Sequence, residues 1–145
     1  MESDHLLVHG TTVDLDGTAV LLRGPSGSGK SDLALRLMDG GAVLVSDDQT
    51  KFEIINQHLV ATAPSSIAGL IEVRGIGVLR VPYLDSSVLG LVVDLTPTEH
   101  VERLPDPQQA GYLGISVPLL RLTAFEASTP AKIRWWTTQE QGALS

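Results

Sequence analysis

Thr11-Thr12-Val13-Asp14-Leu15 alternates loosely between apolar and polar positions, and Thr18-Ala19-Val20-Leu21-Leu22-Arg23 follows as a mostly apolar run. Between them Asp16-Gly17 is a strong two-residue turn signal, so the pair predicts a β-hairpin. The second strand runs straight into Gly24-Pro25-Ser26-Gly27-Ser28-Gly29, and beyond it Leu33, Ala34, Leu37 and Met38 recur at helical spacing. Gly40-Gly41 then predicts the helix end. Ala42–Val45 is a short apolar run leading to Ser46-Asp47-Asp48 and reads as a buried strand. Lys51–Ile55 with Leu59–Thr62 predicts another hairpin, Leu70–Val81 is strand-like but interrupted by Gly75 and Gly77, and Val88–Leu95 is a strong buried-strand pattern.

From Thr96 to Pro118 the prolines Pro97, Pro105, Pro107 and Pro118 break any regular pattern, which predicts a long surface connection. Leu119–Leu122 is a last short strand candidate, and Pro130–Trp136 predicts a C-terminal helix. Helical and strand segments alternate, so the class is α/β. With 145 residues and no internal repeat, residues 1–145 read as one domain.

Gly24-Pro25-Ser26-Gly27-Ser28-Gly29-Lys30-Ser31 satisfies the pattern G-x-x-x-x-G-K-[ST] at every position. Glycines let successive backbone N–H groups curve around a β-phosphate, and the following helix aims its N-terminal dipole at the same anion. In such a P-loop Lys30 neutralises the β- and γ-phosphates, and the Ser31 hydroxyl is a ligand for Mg²⁺. Strand before and helix after supply the context that a chance Gly/Ser-rich turn lacks. A nucleophile elbow is excluded, because neither Ser26 nor Ser28 has glycine at both −2 and +2.

Asp47-Asp48 closes the strand after this helix, where a carboxylate can face a γ-phosphate. Adjacent strand residues point to opposite faces, so one of the two is expected to look at the nucleotide; solvated strand-end acids are the alternative. His9 beside Gly10 is by itself more often a surface or core histidine than a catalytic one. Glu72 and Arg74 would share a strand face, either near metal and phosphate or as an ordinary surface ion pair.

Composition narrows the field. A net charge of −7 without a Lys/Arg cluster, and few aromatics, argue against nucleic-acid binding. There are no cysteines, which excludes disulfides and thiolate chemistry. No run of some 18 apolar residues predicts a membrane span, and the acidic start Met1-Glu2-Ser3-Asp4-His5 has the wrong charge for a signal peptide. A cytoplasmic protein is the expectation.

His9-Gly10, the Asp16-Gly17 hairpin, the P-loop, Val45-Ser46-Asp47-Asp48 and Ile71-Glu72-Val73-Arg74-Gly75-Ile76-Gly77-Val78 occur in an order that resembles the catalytic domain of HPr kinase/phosphorylase. The similarity is good over residues 8–95 and thinner beyond. It implies a P-loop fold of the phosphoenolpyruvate carboxykinase-like type, with a mixed sheet and flanking helices. It implies ATP and Mg²⁺ as cofactors, a serine of an HPr-like phosphocarrier as acceptor, and a homo-oligomer, a hexamer by analogy. It also implies roles: Asp47 as the base, His9 as its tuning neighbour, Lys30 and Arg103 as further catalytic residues, Arg74 with the P-loop at the nucleotide, and Ser31 and Glu72 as Mg²⁺ ligands. Two departures stand out. The family's N-terminal domain is expected to lack a counterpart here, since this sequence starts near His9. Leu119–Phe125 lacks the P-G-R-N-type segment associated with dephosphorylation, so the kinase direction is the better supported. Rival readings are a small-metabolite P-loop kinase and a non-catalytic ATP-sensing module. Trp135-Trp136 fits core, oligomer contact or exposed anchor, of which core or oligomer packing is the commoner outcome.

Overall fold

A computed structural model describes residues 5–139; the acidic start at residues 1–4 lies outside them. Among the described residues eleven strands and two α-helices make a mixed α/β fold: β1 (His5–His9), β2 (Thr11–Leu15), β3 (Thr18–Arg23), α1 (Lys30–Asp39), β4 (Val43–Ser46), β5 (Gln49–Ile55), β6 (His58–Thr62), β7 (Leu70–Val73), β8 (Gly77–Arg80), β9 (Ser87–Leu95), β10 (Gln108–Tyr112), β11 (Ile115–Leu122) and α2 (Thr129–Thr138). Nine strands form one curled sheet in the order β1-β5-β6-β9-β3-β2-β4, and β10–β11 joins it through β9. β7 and β8 make a separate hairpin. The pairs β3–β9 and β9–β11 are parallel, while the other ladders are antiparallel.

Alternation along β3 sorts its side chains to two cores. Val20 and Leu22 join Leu33 and Leu37 of α1 and Ile133 of α2, whereas Ala19 and Leu21 join Phe52, Leu59 and Val117. Each of the larger of these side chains contributes about 1.5–3 kcal/mol by leaving water. In β9 the phase switches at Gly90. Ala19 pairs with Leu89 but Val20 with Leu91, so Leu89 faces one core and Leu91 and Val93 the other. A Cβ on Gly90 would lie 2.6 Å from Thr18 Cγ2, which is why this bulge is built on glycine.

Three expectations change. His5–His9, for which the sequence pattern predicts no element, is an edge strand on β5, pairing Leu6 with Phe52 and Val8 with Thr50. The connection expected over Thr96–Pro118 stays irregular or briefly 3₁₀ only as far as Pro107, because β10 and the first part of β11 bury Ala110 and Val117. The turn between them rests on Leu113 (φ 52°) and Gly114 (φ 84°), and Pro118 falls just before β11 begins pairing with β9 at Leu119. Leu70–Val81 folds back on itself at Arg74-Gly75-Ile76 instead of running as one strand. The tryptophans divide: Trp136 packs on the helix-side core while Trp135 is exposed. Among the described residues, no helix is long and apolar enough to cross a membrane.

Candidate functional site

β3 and β9 end side by side, and β3 delivers the chain into the glycine loop. Arg23, the last residue of β3, clamps Asp94 near the end of β9 with two hydrogen bonds, Nε to Oδ1 at 2.6 Å and Nη2 to Oδ2 at 2.9 Å. Its Nη1 donates to the Tyr112 hydroxyl at 2.7 Å, and the Tyr112 ring stacks on Phe52 with centroids 5.4 Å apart. The hydrogen bonds to Asp94 hold the Arg23 guanidinium further into its charged form than usual, with Tyr112 adding to this against the opposing effect of burial. The loop therefore starts from a cross-linked strand end.

Gly27 (φ 82°) and Gly29 (φ 98°) take left-handed backbone that other residues enter at a cost. Gly29 is the residue before α1, and the N–H of Leu33 closes the first turn on its carbonyl at 2.9 Å. Lys30 is buried, and its Nζ donates to the carbonyls of Gly24 (2.8 Å) and Pro25 (3.1 Å), so the cation stands inside the loop. The adjoining cavity of about 460 Å³ is lined by Ser26, Gly27, Gly29, Lys30 and Ser31 of the loop, by Asp32 and Leu35 of α1, by Asp48, by Glu72, Val73 and Arg74, and by Phe125.

The two aspartates part company at the end of β4. Asp47 is buried: its Oδ1 accepts from Ser31 Oγ at 2.6 Å and Thr11 Oγ1 at 2.9 Å, and its Oδ2 from the Glu72 N–H at 3.0 Å. This carboxylate ties the P-loop helix, β2 and β7 together. Asp48 turns out of the strand through a left-handed conformation (φ 67°), is exposed, and lines the cavity. Its N–H donates to Thr11 Oγ1 at 3.1 Å, and its Oδ1 lies 3.1 Å from His9 Nε2. The histidine thus adjoins Asp48, not Asp47 as the resemblance implied.

Glu72 and Arg74 both border the cavity, though Arg74 sits in the β7–β8 turn and not on a shared strand face. Arg103 is exposed on the connection before β10 and is not among the cavity-lining residues. Phe125, Asp32 and Leu35 carried no sequence signal for this site; Asp32 and Leu35 follow from their places on α1, whereas Phe125 arrives from a distant part of the chain.

Among the described residues, no three His, Cys, Asp or Glu side chains gather to hold a metal by themselves. Ser31 and Glu72 both line the cavity beside the loop and offer a hydroxyl and a carboxylate, hard donors of the kind that hold Mg²⁺ together with phosphate oxygens.

A glycine loop between strand and helix, an inward lysine and a strand-end carboxylate bonded to the loop serine form the framework of a P-loop domain. The chain belongs to the family described as HPr Serine kinase C-terminal domain, which it matches over residues 3–133. It is similar to the HPr kinase/phosphorylase of Caldicellulosiruptor bescii, 40% identical over 124 residues, covering 77% of this chain and 40% of that protein. It is likewise similar to that of Stenotrophomonas maltophilia, 39% identical over 132 residues, with 81% and 42% covered. The chain thus spans about two fifths of the length of these curated relatives. Among solved structures, the HPr(Ser) kinase/phosphatase from Coxiella burnetii matches with a TM-score of 0.82 at 27% identity, covering 92% of this chain and 88% of that one.

Proposed function

We propose that this chain is an ATP- and Mg²⁺-dependent kinase that phosphorylates a serine of an HPr-like phosphocarrier protein. The observation that carries the reading is the division of labour at Asp47-Asp48: one carboxylate is locked onto Ser31, and the next stands exposed on the wall of the P-loop cavity with a histidine on one oxygen. A sensor that only binds nucleotide has no need of the second.

The loop N–H groups and Lys30 hold the β- and γ-phosphates, and their positive charge offsets the negative charge that spreads over the γ-phosphoryl oxygens during transfer. Mg²⁺, when bound, neutralises the same oxygens, with Ser31 and Glu72 as its side-chain ligands. Asp48 accepts the proton of the acceptor serine as its Oγ bonds to the γ-phosphorus; the bond to the β-phosphate oxygen breaks and ADP leaves. His9 Nε2, 3.1 Å from Asp48 Oδ1, donates to the carboxylate and aims it at the acceptor. This assigns the base to Asp48. Asp47 already accepts three hydrogen bonds and serves as the positioning residue for Ser31. Arg74 is a cation at the cavity rim for the transferring phosphoryl group, and Arg103 is left out of the machinery.

The test is incubation with Mg²⁺, γ-labelled ATP and the HPr-like carrier of the same genome. Label on the carrier, lost when its acceptor serine is replaced by alanine, is the expected result. Label on a small alcohol instead would move the reading to a metabolite kinase. ATP binding with no transfer to any acceptor would move it to a nucleotide sensor.

A further inference from the structure

Of the two phenylalanines, Phe52 is fully buried, whereas Phe125 is 69% exposed and stands on the wall of the P-loop cavity. It is not a loosely held surface side chain. Its ring edge reaches over the loop: a Cβ placed on Gly29 would lie 2.8 Å from Phe125 Cζ and 2.7 Å from Ala124 Cβ. The backbone around it is pinned from below. Arg36, on the helix that starts at the loop, donates to the carbonyls of Ala124 and, at 3.3 Å, Glu126. Thr129 Oγ1 donates to the carbonyl of Thr123 at 2.6 Å, and Ala124 is buried. The backbone that carries the ring is thus held in place, and the largely exposed ring borders both the loop glycine and the cavity, where Leu35 and Val73 also present apolar surface. Aromatic rings held in this way beside a phosphate site offer a stacking surface for a nucleobase.

We propose that Phe125 is the platform on which the purine base of the bound nucleotide stacks, an inference that rests on the nucleotide-binding reading given above. The loop recognises only the phosphates, which all triphosphates share. Phe125 would supply the affinity that distinguishes a nucleotide from a bare polyphosphate. Its contact with Gly29, within the phosphate cradle itself, favours the nucleotide over the protein acceptor as the occupant.

The experiment is calorimetric titration of the wild-type chain, Phe125→Ala and Phe125→Tyr with Mg–ATP and, separately, with Mg–tripolyphosphate. Wild type should bind ATP about tenfold or more tighter than tripolyphosphate, the range for one base on one aromatic ring. Phe125→Ala should lose about that factor for ATP and less than about twofold for tripolyphosphate, and Phe125→Tyr should retain the preference. An equal loss for both ligands would make the residue a prop of the loop and overturn the stacking role. An unchanged ATP affinity in Phe125→Ala would overturn it too, including the case where only the carrier's KM rises. If wild type binds tripolyphosphate and ATP equally, stacking fails while the phosphate site stands; if it binds neither, the nucleotide reading itself falls.

Discussion

Replacing Asp47 by alanine removes a buried acceptor that three donors share: Ser31 Oγ at 2.6 Å, Thr11 Oγ1 at 2.9 Å and the Glu72 N–H at 3.0 Å. A hydrogen bond to a charged group contributes about 1.5–3 kcal/mol, and a buried donor left without a partner costs about 1–3 kcal/mol. The two hydroxyls can rotate to other acceptors, so most of their share is recoverable, but the Glu72 N–H is fixed by its strand. The net loss is about 3–5 kcal/mol, a large part of the roughly 5–15 kcal/mol that holds a domain folded. Asp48→Asn is the matched control, because Asp48 is exposed and asparagine tolerates its left-handed backbone. Its pairing with His9 at the surface is worth about 0–1 kcal/mol. Urea unfolding followed by far-ultraviolet circular dichroism reads the difference. With a slope of about 2 kcal/mol per molar, the midpoint should fall by about 1.5–2.5 M for Asp47→Ala and by less than about 0.5 M for Asp48→Asn. Equal shifts for the two variants, or an Asp47→Ala midpoint within about 0.5 M of wild type, would refute the division of roles between them.

Gly29→Ala forces a side chain into left-handed backbone (φ 98°) and within 2.7 Å of Ala124 Cβ, so nucleotide affinity measured by calorimetry should drop at least about tenfold; unchanged affinity would contradict the loop geometry. Arg23→Met leaves the Asp94 carboxylate without its two-pronged donor and should lower stability by about 1–3 kcal/mol, partly recovered when Asp94→Leu is added. A thermal melt in which the double variant is no better than the single one would count against the clamp.

The parts of this fold written locally were readable in the sequence. Asp16-Gly17 specifies a hairpin through its own backbone preferences, and Leu33, Ala34 and Leu37 mark one face of a helix. The β10–β11 hairpin was hidden because Pro105, Pro107 and Pro118 dominate the local pattern, while Ala110 and Val117 become core residues only through contact with β5, β6 and β9. His5–His9 offered no alternation to read, since an edge strand buries little of either face. At the site, strand alternation foretold that the two aspartates would point apart, but not which would face the cavity. That choice is made by Asp48's positive φ and by the partners that capture Asp47. Those partners come from β2, α1 and β7, none of them neighbours in sequence. Phe125 was silent for the same reason, its place being fixed by Arg36 and Gly29.

The most direct measurement is single-turnover transfer from γ-labelled ATP to the HPr-like carrier by wild type, Asp48→Asn and Asp47→Asn, with ATP affinity measured in parallel. If Asp48 is the base, Asp48→Asn keeps ATP affinity within about threefold and loses transfer by about 10²-fold or more. Asp47→Asn, which retains the shape of the buried side chain, keeps a larger residual rate than Asp48→Asn. Full transfer by Asp48→Asn, or a greater loss from Asp47→Asn at intact stability, would contradict the assignment of the base.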